Sequence, residues 1–187
     1  MCYLAQGATG FLPSIAIVHD SEIFSHGRIG QHSIIGATTL DLKYTFYRTI
    51  KKSSLDFYHF GWSASTMEWW HKQPVHVREE AFNGTTPIRQ ALKEFQDWLY
   101  VVCKDKEPQL WGNGAAFDNV ILKYAYDKVG LTVPWSYKND MCYRTLRKVL
   151  GDRIKDPEFA GDKHNALADA IHEARVLNLM LEKLYGK

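Results

Sequence analysis

Two carboxylates, Asp20 and Glu22, stand two residues apart at the end of a short apolar run, SIAIVHDSE (14–22). The run is rich in β-branched residues and short enough to be a buried strand. On a strand, positions i and i+2 share a face, so both acids point the same way. Adjacent carboxylates repel, and burying them costs on the order of several kcal/mol unless a cation compensates. Hard oxygen donors suit Mg²⁺ or Mn²⁺ in that role. If the strand stops near His19, the same acids are solvated loop residues instead.

Two further stretches carry chemistry. In NGAAFDN (113–119) a strand, QLWG (109–112), runs into a turn and then a helix with Asp118 near its start. Glycine permits close backbone approach, and the strand-to-helix turn is a common ligand position in α/β sheets. Alternatively, Asp118 only complements the helix N-terminus. In HNALAD (164–169) a histidine opens a long helix and Asp169 follows five residues later. That pair also reads as a capping His and a solvated acid. Together the three stretches supply Asp20, Glu22, Asp118 and Asp169, with His164 beside them. Four acids suit two divalent cations arranged for in-line phosphodiester displacement. An imidazole, which titrates near neutrality, suits a general base for the attacking water. Other chemistries lack their motifs: there is no Gly-x-Ser-x-Gly, Walker loop, Rossmann fingerprint, Cys-x-x-Cys or His-Glu-x-x-His.

The rest of the chain must position these groups. Its 187 residues, 45% hydrophobic and 24% charged, fit one soluble globular domain. The longest apolar run, Trp98 to Cys103, is far too short to span a membrane. With no Lys or Arg before Arg28 and three scattered cysteines, the expectation is a cytoplasmic protein with reduced thiols. Residues 1–13 read as an irregular leader, and 14–187 as a single domain. The runs 14–22, 32–40 and 43–50 predict three strands in a meander. Helices are expected over TMEWWHKQ (66–73), with a capping box at Ser65–Glu68, and over PVHVREEAF (74–82). Another should run from a Thr86–Pro87 start to Cys103. Further helices are expected after the 113–119 turn up to Gly130, over 139–151, and over 164–184. The last has an apolar stripe of Leu167, Ile171, Ala174, Leu177, Leu181 and Leu184. The whole predicts an α/β domain with a mixed central sheet flanked by helices.

The four-acid-plus-His set, with TMEWWHKQ (66–73), LWGNGAAFDNVIL (110–122) and HNALADAIHEAR (164–175), resembles the DEDDh (DnaQ-like) 3′–5′ exonucleases. It resembles in particular their phage exonuclease A-like and mycobacterial exoribonuclease-like branch. The likeness runs from Ile15 to Leu184. It implies an RNase H-like fold, two Mg²⁺ or Mn²⁺ ions, and release of nucleoside 5′-monophosphates from a 3′ end of single-stranded RNA or DNA. By motif match, Asp20, Glu22, Asp118 and Asp169 would carry the metals and His164 would be the base. The first motif departs from the pattern: Ser21 and Ile23 replace the usual Leu and Thr, and His19 precedes Asp20.

Supporting residues have two readings each. Phe24 and Phe117 can stack on the terminal base, with Ile23 beside them, or pack in the core. Asn113 can bond a sugar or phosphate, or hold its own turn. Of Trp69 and Trp70, one fills the core and the other lines the groove. Arg144, Arg147 and Lys148 form a basic helical face that can track a phosphodiester backbone or simply be solvated. A non-catalytic nucleic-acid-binding module of the same fold, and an endonuclease, are the rival functions. A homodimer is compatible with the sequence.

Overall fold

The computed structural model describes residues 14–18, 34–61, 64–104, 106–161 and 163–186. The leader 1–13 and the expected site residues Asp20, Glu22, Ile23 and Phe24 lie outside the described residues. Strand β1 (Ser14–Val18) pairs in parallel with β4 (Gln109–Gly112), and β4 pairs in parallel with β5 (Asp140–Cys142). Strands β2 (Ile34–Thr38) and β3 (Thr45–Thr49) form an antiparallel hairpin. β1 lies beside β2, but among the described residues its ladder runs to β4, not to β2 as a simple meander requires.

Helices cover both faces of this mixed arrangement. Neighbouring strand residues go to opposite cores, as the period of two demands. Ile35 and Leu110 join the cluster that includes Leu92, Phe95 and Leu99 of α4 (Ile88–Cys103) and Leu122 and Ala125 of α5 (Val120–Lys128). Trp111 instead meets Leu150 of α6 (Tyr143–Leu150) and Ala170, Ala174 and Leu177 of α7 (Ala166–Tyr185). Ile34 packs with Trp70 of α2 (Ala64–His71), Val77 and Ala81 of α3 (Val75–Phe82), and Ala166. All five residues of β2 are buried, as expected of a strand covered on two sides. A short helix, Lys52–Phe57, follows β3 and was not expected from the sequence. Among the described residues, no helix is long and apolar enough to cross a membrane.

Local corrections have physical causes. Thr86 does not cap α4: its backbone is drawn into a bridge with Ile50, donating to Thr49 O (3.1 Å) and accepting from Lys51 (2.8 Å). Ser54 supplies the missing acceptor, taking the Ile88 N–H at 3.0 Å. The expected helix 139–151 begins only at Tyr143, because Asp140–Cys142 is strand β5. α2 starts at Ala64, ahead of the expected capping box. The buried face of α7 is Ala166, Ala170, Glu173, Ala174, Val176, Leu177 and Met180, while Leu184 is exposed. The stripe is rotated because small residues let α7 approach β2 closely. A Cβ on Gly36 would come within 2.7 Å of the Ala166 carbonyl oxygen.

Gly36→Ala should therefore force α7 away from β2 and destabilise the fold by about 1–3 kcal/mol. Urea unfolding would measure this, and an unchanged midpoint would contradict the close packing.

Candidate active site

The parallel strands β1, β4 and β5 end side by side at Val18, Gly112 and Cys142. Ligands of open α/β sheets sit beyond such carboxyl ends. After Gly112 the chain enters a π-helical turn, Ala115–Asn119, before α5. π turns are rare and concentrate at functional sites. Here the wider turn carries Asp118 back toward the strand. Its carboxylate accepts the Gly114 N–H at 2.7 Å, and the side chain is 2% exposed. Gly112 is glycine for want of room, since a Cβ would lie 2.9 Å from the Asp118 Cβ.

Asn119 fixes this turn from behind. Its amide donates to Leu110 O and to Asp140 Oδ1, each at 3.0 Å. Asp140 also accepts from Trp135 Nε1 at 2.9 Å and pairs with Lys123. Burial works against the charge of Asp140, but the hydrogen bonds from Lys123, Asn119 and Trp135 outweigh it and hold its carboxyl below the usual range. Sequence reasoning missed both Asn119 and Asp140, which look like ordinary turn and helix-start residues.

Asp169 lies in the first turn of α7, and His164 just ahead of it. His164 stands before the helix, with its backbone in the left-handed region (φ 70°). A non-glycine residue held there costs about 1–3 kcal/mol, and such strain collects at functional sites. The expected capping His is therefore not the cap: Asn165 is, accepting from Leu167 and Ala168 at 3.1 Å each. Asn165 is itself anchored, donating to Tyr47 Oη (3.2 Å) and Glu80 Oε2 (3.3 Å), while Tyr47 donates to Glu80 Oε1 (2.7 Å). Trp69 meets the His164 ring edge to face at 5.2 Å, whereas Trp70 is buried. Of the two tryptophans, Trp70 is thus the core residue.

An acid that the sequence reading passed over completes the cluster. Glu173 lies one turn after Asp169 on α7, 6% exposed. Its pKa stands well above the usual carboxylate range, first because it is buried and then because the charges of Asp118 and Asp169 bear on it. Arg144 and the Asn113 amide, which face it, pull the other way. One carboxyl oxygen, Oε2, is buried with no hydrogen-bond partner among the described residues. The signal was its i, i+4 spacing from Asp169. Phe117 and Asn113 are half-buried on the same turn, and the Asn113 carbonyl accepts the Arg144 N–H at 2.8 Å. Arg147 does not belong to a free basic face: it pairs with Asp156 at 2.8 Å and donates to Ile154 O at 3.0 Å.

Carboxyl oxygens in so buried a setting, with the Glu173 Oε2 left unpartnered beside them, have the chemistry that a hard divalent cation takes. Among the described residues, no three acid, His or Cys side chains converge closely enough to hold a metal ion. Asp20 and Glu22 lie outside them. The crowding has a consequence for stability. Folded Glu173 keeps its proton above pH 4.5, where the unfolded chain has lost it, so the fold weakens as pH rises from there. In chelator, the melting temperature of Glu173→Gln should gain on that of the native chain between pH 5 and pH 8. Parallel pH curves would contradict a buried, protonated Glu173.

Comparison with known proteins places this geometry. A family model, the 3′-5′ exoribonuclease Rv2179c-like domain, matches residues 16–181. No curated protein sequence matches the chain. Among solved structures, the chain is similar to the nuclease domain of 3′hExo, a DEDDh family member, bound to rAMP. The match has a TM-score of 0.60 at 15% identity and covers 94% of this chain and 95% of that one. At that identity the likeness speaks for the RNase H-like fold, while the family model speaks for the enzyme class. The chain therefore belongs to the Rv2179c-like family of 3′–5′ exoribonuclease domains.

Proposed function

We propose that this enzyme trims single-stranded nucleic acid, RNA foremost, from its 3′ end and releases nucleoside 5′-monophosphates. In this reading residues 14–187 form one catalytic domain. The observation that carries it is a buried Asp118, held by the Gly114 N–H beyond the ends of parallel strands, with the buried Glu173 near enough to feel its charge and that of Asp169. Asp20 and Glu22 follow the last residue of β1 by two and four positions in sequence. Asp20, Glu22, Asp118 and Asp169 would hold two divalent cations, Mg²⁺ or Mn²⁺. Bound there, the cations lower the barrier by stabilising negative charge on the attacking and leaving oxygens.

The chain's own residues do the rest. His164 accepts the proton of the attacking water on a ring nitrogen. The water oxygen bonds to phosphorus, the bond to the 3′ oxygen breaks, and that oxygen leaves as a hydroxyl after taking up a proton. Trp69 limits where the imidazole can turn. Asn165, through Tyr47 and Glu80, fixes the start of α7, the helix that follows His164 and carries Asp169. Ile23, Phe24, Asn113 and Phe117 would seat the terminal nucleotide, with an aromatic ring on the base worth about 1–3 kcal/mol. The exoribonuclease description of the family favours RNA over DNA.

The test uses 5′-labelled RNA and DNA single strands, linear and circular, with Mn²⁺ or with chelator. A ladder from linear strands only with metal supports the reading. Retention without cleavage would mean a binding module, and cutting of circles an endonuclease. His164→Ala should lower kcat about 10²–10⁴-fold while Mn²⁺ still binds. Asp20→Ala and Asp118→Ala should lose both. Normal degradation by the Asp20 variant would refute the assignment.

A further inference from the structure

We infer that Arg144 is a phosphate contact of the bound strand, its guanidinium gripping a non-bridging oxygen beside the acidic cluster. The inference rests on the exonuclease reading above and adds to it a residue that the four-acid-plus-His set does not contain.

Arg144 sits in the first turn of α6, and its position is locked to the site by its own backbone. Its N–H donates to the Asn113 carbonyl at 2.8 Å, joining the start of α6 to the turn after β4. The side chain then folds over that turn. A Cβ placed on Gly114 would lie 3.6 Å from Arg144 Nη1 and 3.9 Å from its Cζ. Gly114 is the residue whose N–H holds Asp118. The guanidinium therefore stands over the backbone that fixes a proposed metal ligand, and its charge is felt at Glu173 and at the Cys142 thiol.

What it does not do is equally informative. Two other arginines are engaged, Arg147 with Asp156 and Arg48 with Glu94 and the Tyr47 carbonyl, whereas Arg153 and Arg175, like Arg144, form no ion pair among the described residues; Arg144 alone of these three stands over the turn that holds Asp118. Arg144 is exposed and, among the described residues, forms no ion pair despite the acids nearby. Such a group keeps five N–H donors for something that arrives from solvent. The planar fork fits phosphate oxygens in a bidentate pair, which an ammonium does not reproduce. A nucleic-acid 3′ end must bring phosphate to the carboxylates.

The rival role is internal: Arg144 would merely offset the charge of Asp118 and Glu173, with no contact to substrate. The two are separated by Arg144→Ala and Arg144→Lys, measured with linear single-stranded RNA and Mn²⁺. A phosphate contact predicts that KM rises about tenfold or more in Arg144→Ala, the scale of a lost charge-assisted bond, while kcat falls much less. The slope of log KM against log salt should shrink by about 0.7, one phosphate fewer on a single strand. Inhibition by a nucleoside 5′-monophosphate should weaken with it, and inhibition by the bare nucleoside should not. Arg144→Lys should recover the salt slope but only part of KM. Native KM, native salt slope and unchanged monophosphate inhibition in Arg144→Ala would overturn the inference, whatever happens to kcat or melting temperature. Binding of labelled RNA in Ca²⁺, read by fluorescence anisotropy, keeps the test independent of turnover. If the native chain binds but does not degrade RNA, the exonuclease reading falls. Weaker binding by the variant would then still support the phosphate contact, and equal binding would sink it.

Discussion

Asp118 and Asp169 stand near enough to Glu173 for their charges to bear on it, two of the three carboxyls are buried, and the elements around them have to hold that unfavourable arrangement. Coulomb repulsion in a dry setting is tolerated only by neutralising one member or by introducing positive charge. Glu173 leans to the first route, since burial and the charges of Asp118 and Asp169 hold its carboxyl well above the usual range. Arg144 offers part of the second from the rim. A divalent cation would complete it, and this is why an arrangement that weakens the fold is useful in a phosphodiesterase. The acids are held apart from bulk water in advance, so charge need not be organised when the substrate arrives.

Two unrelated parts of the chain have to deliver those acids accurately. The turn after β4 does so with a π-helical bend, a glycine that leaves room for Asp118, and the Asn119–Asp140–Lys123 network behind it. α7 does so through its capped start, tied to β3 and α3 by Tyr47 and Glu80 and pressed onto β2 at Gly36. His164 is held outside the helix in a left-handed backbone conformation beside Trp69. Helix α7 thus carries Asp169 and Glu173 on one rigid element, with His164 two residues ahead of its first turn, which limits their relative motion.

Much of this was legible in the residues. Asp118 and the His164–Asp169 pair stood out because each follows a strand or opens a helix, and the β2–β3 step of the expected meander is present as an antiparallel pair. Other features were hidden for physical reasons. Glu173 is four residues from Asp169, but an acid amid alanines reads as a solvated position. The alanine face of α7 is a weak hydrophobic signal beside Leu167 and Ile171, although close approach to β2 favours small side chains. Strand β5 is three residues long, too short for a period of two to show. Trp69 and Trp70 were ambiguous because adjacent helical positions diverge, and it is the packing of Trp70 against Ile34, α3 and Ala166 that buries it. Arg144 and Arg147 share a helix face, yet Asp156, distant from helix periodicity, decides that one is structural and the other open.

If repulsion among these acids is the constraint that metal relieves, its direct measure is the melting temperature of the native chain as Mn²⁺ replaces chelator. The account predicts a rise that saturates with Mn²⁺, grows from pH 5 to pH 8 as protons and metal compete for the same oxygens, and disappears in Asp118→Asn. A melting temperature indifferent to Mn²⁺ at every pH, or an equal rise in Asp118→Asn, would contradict it.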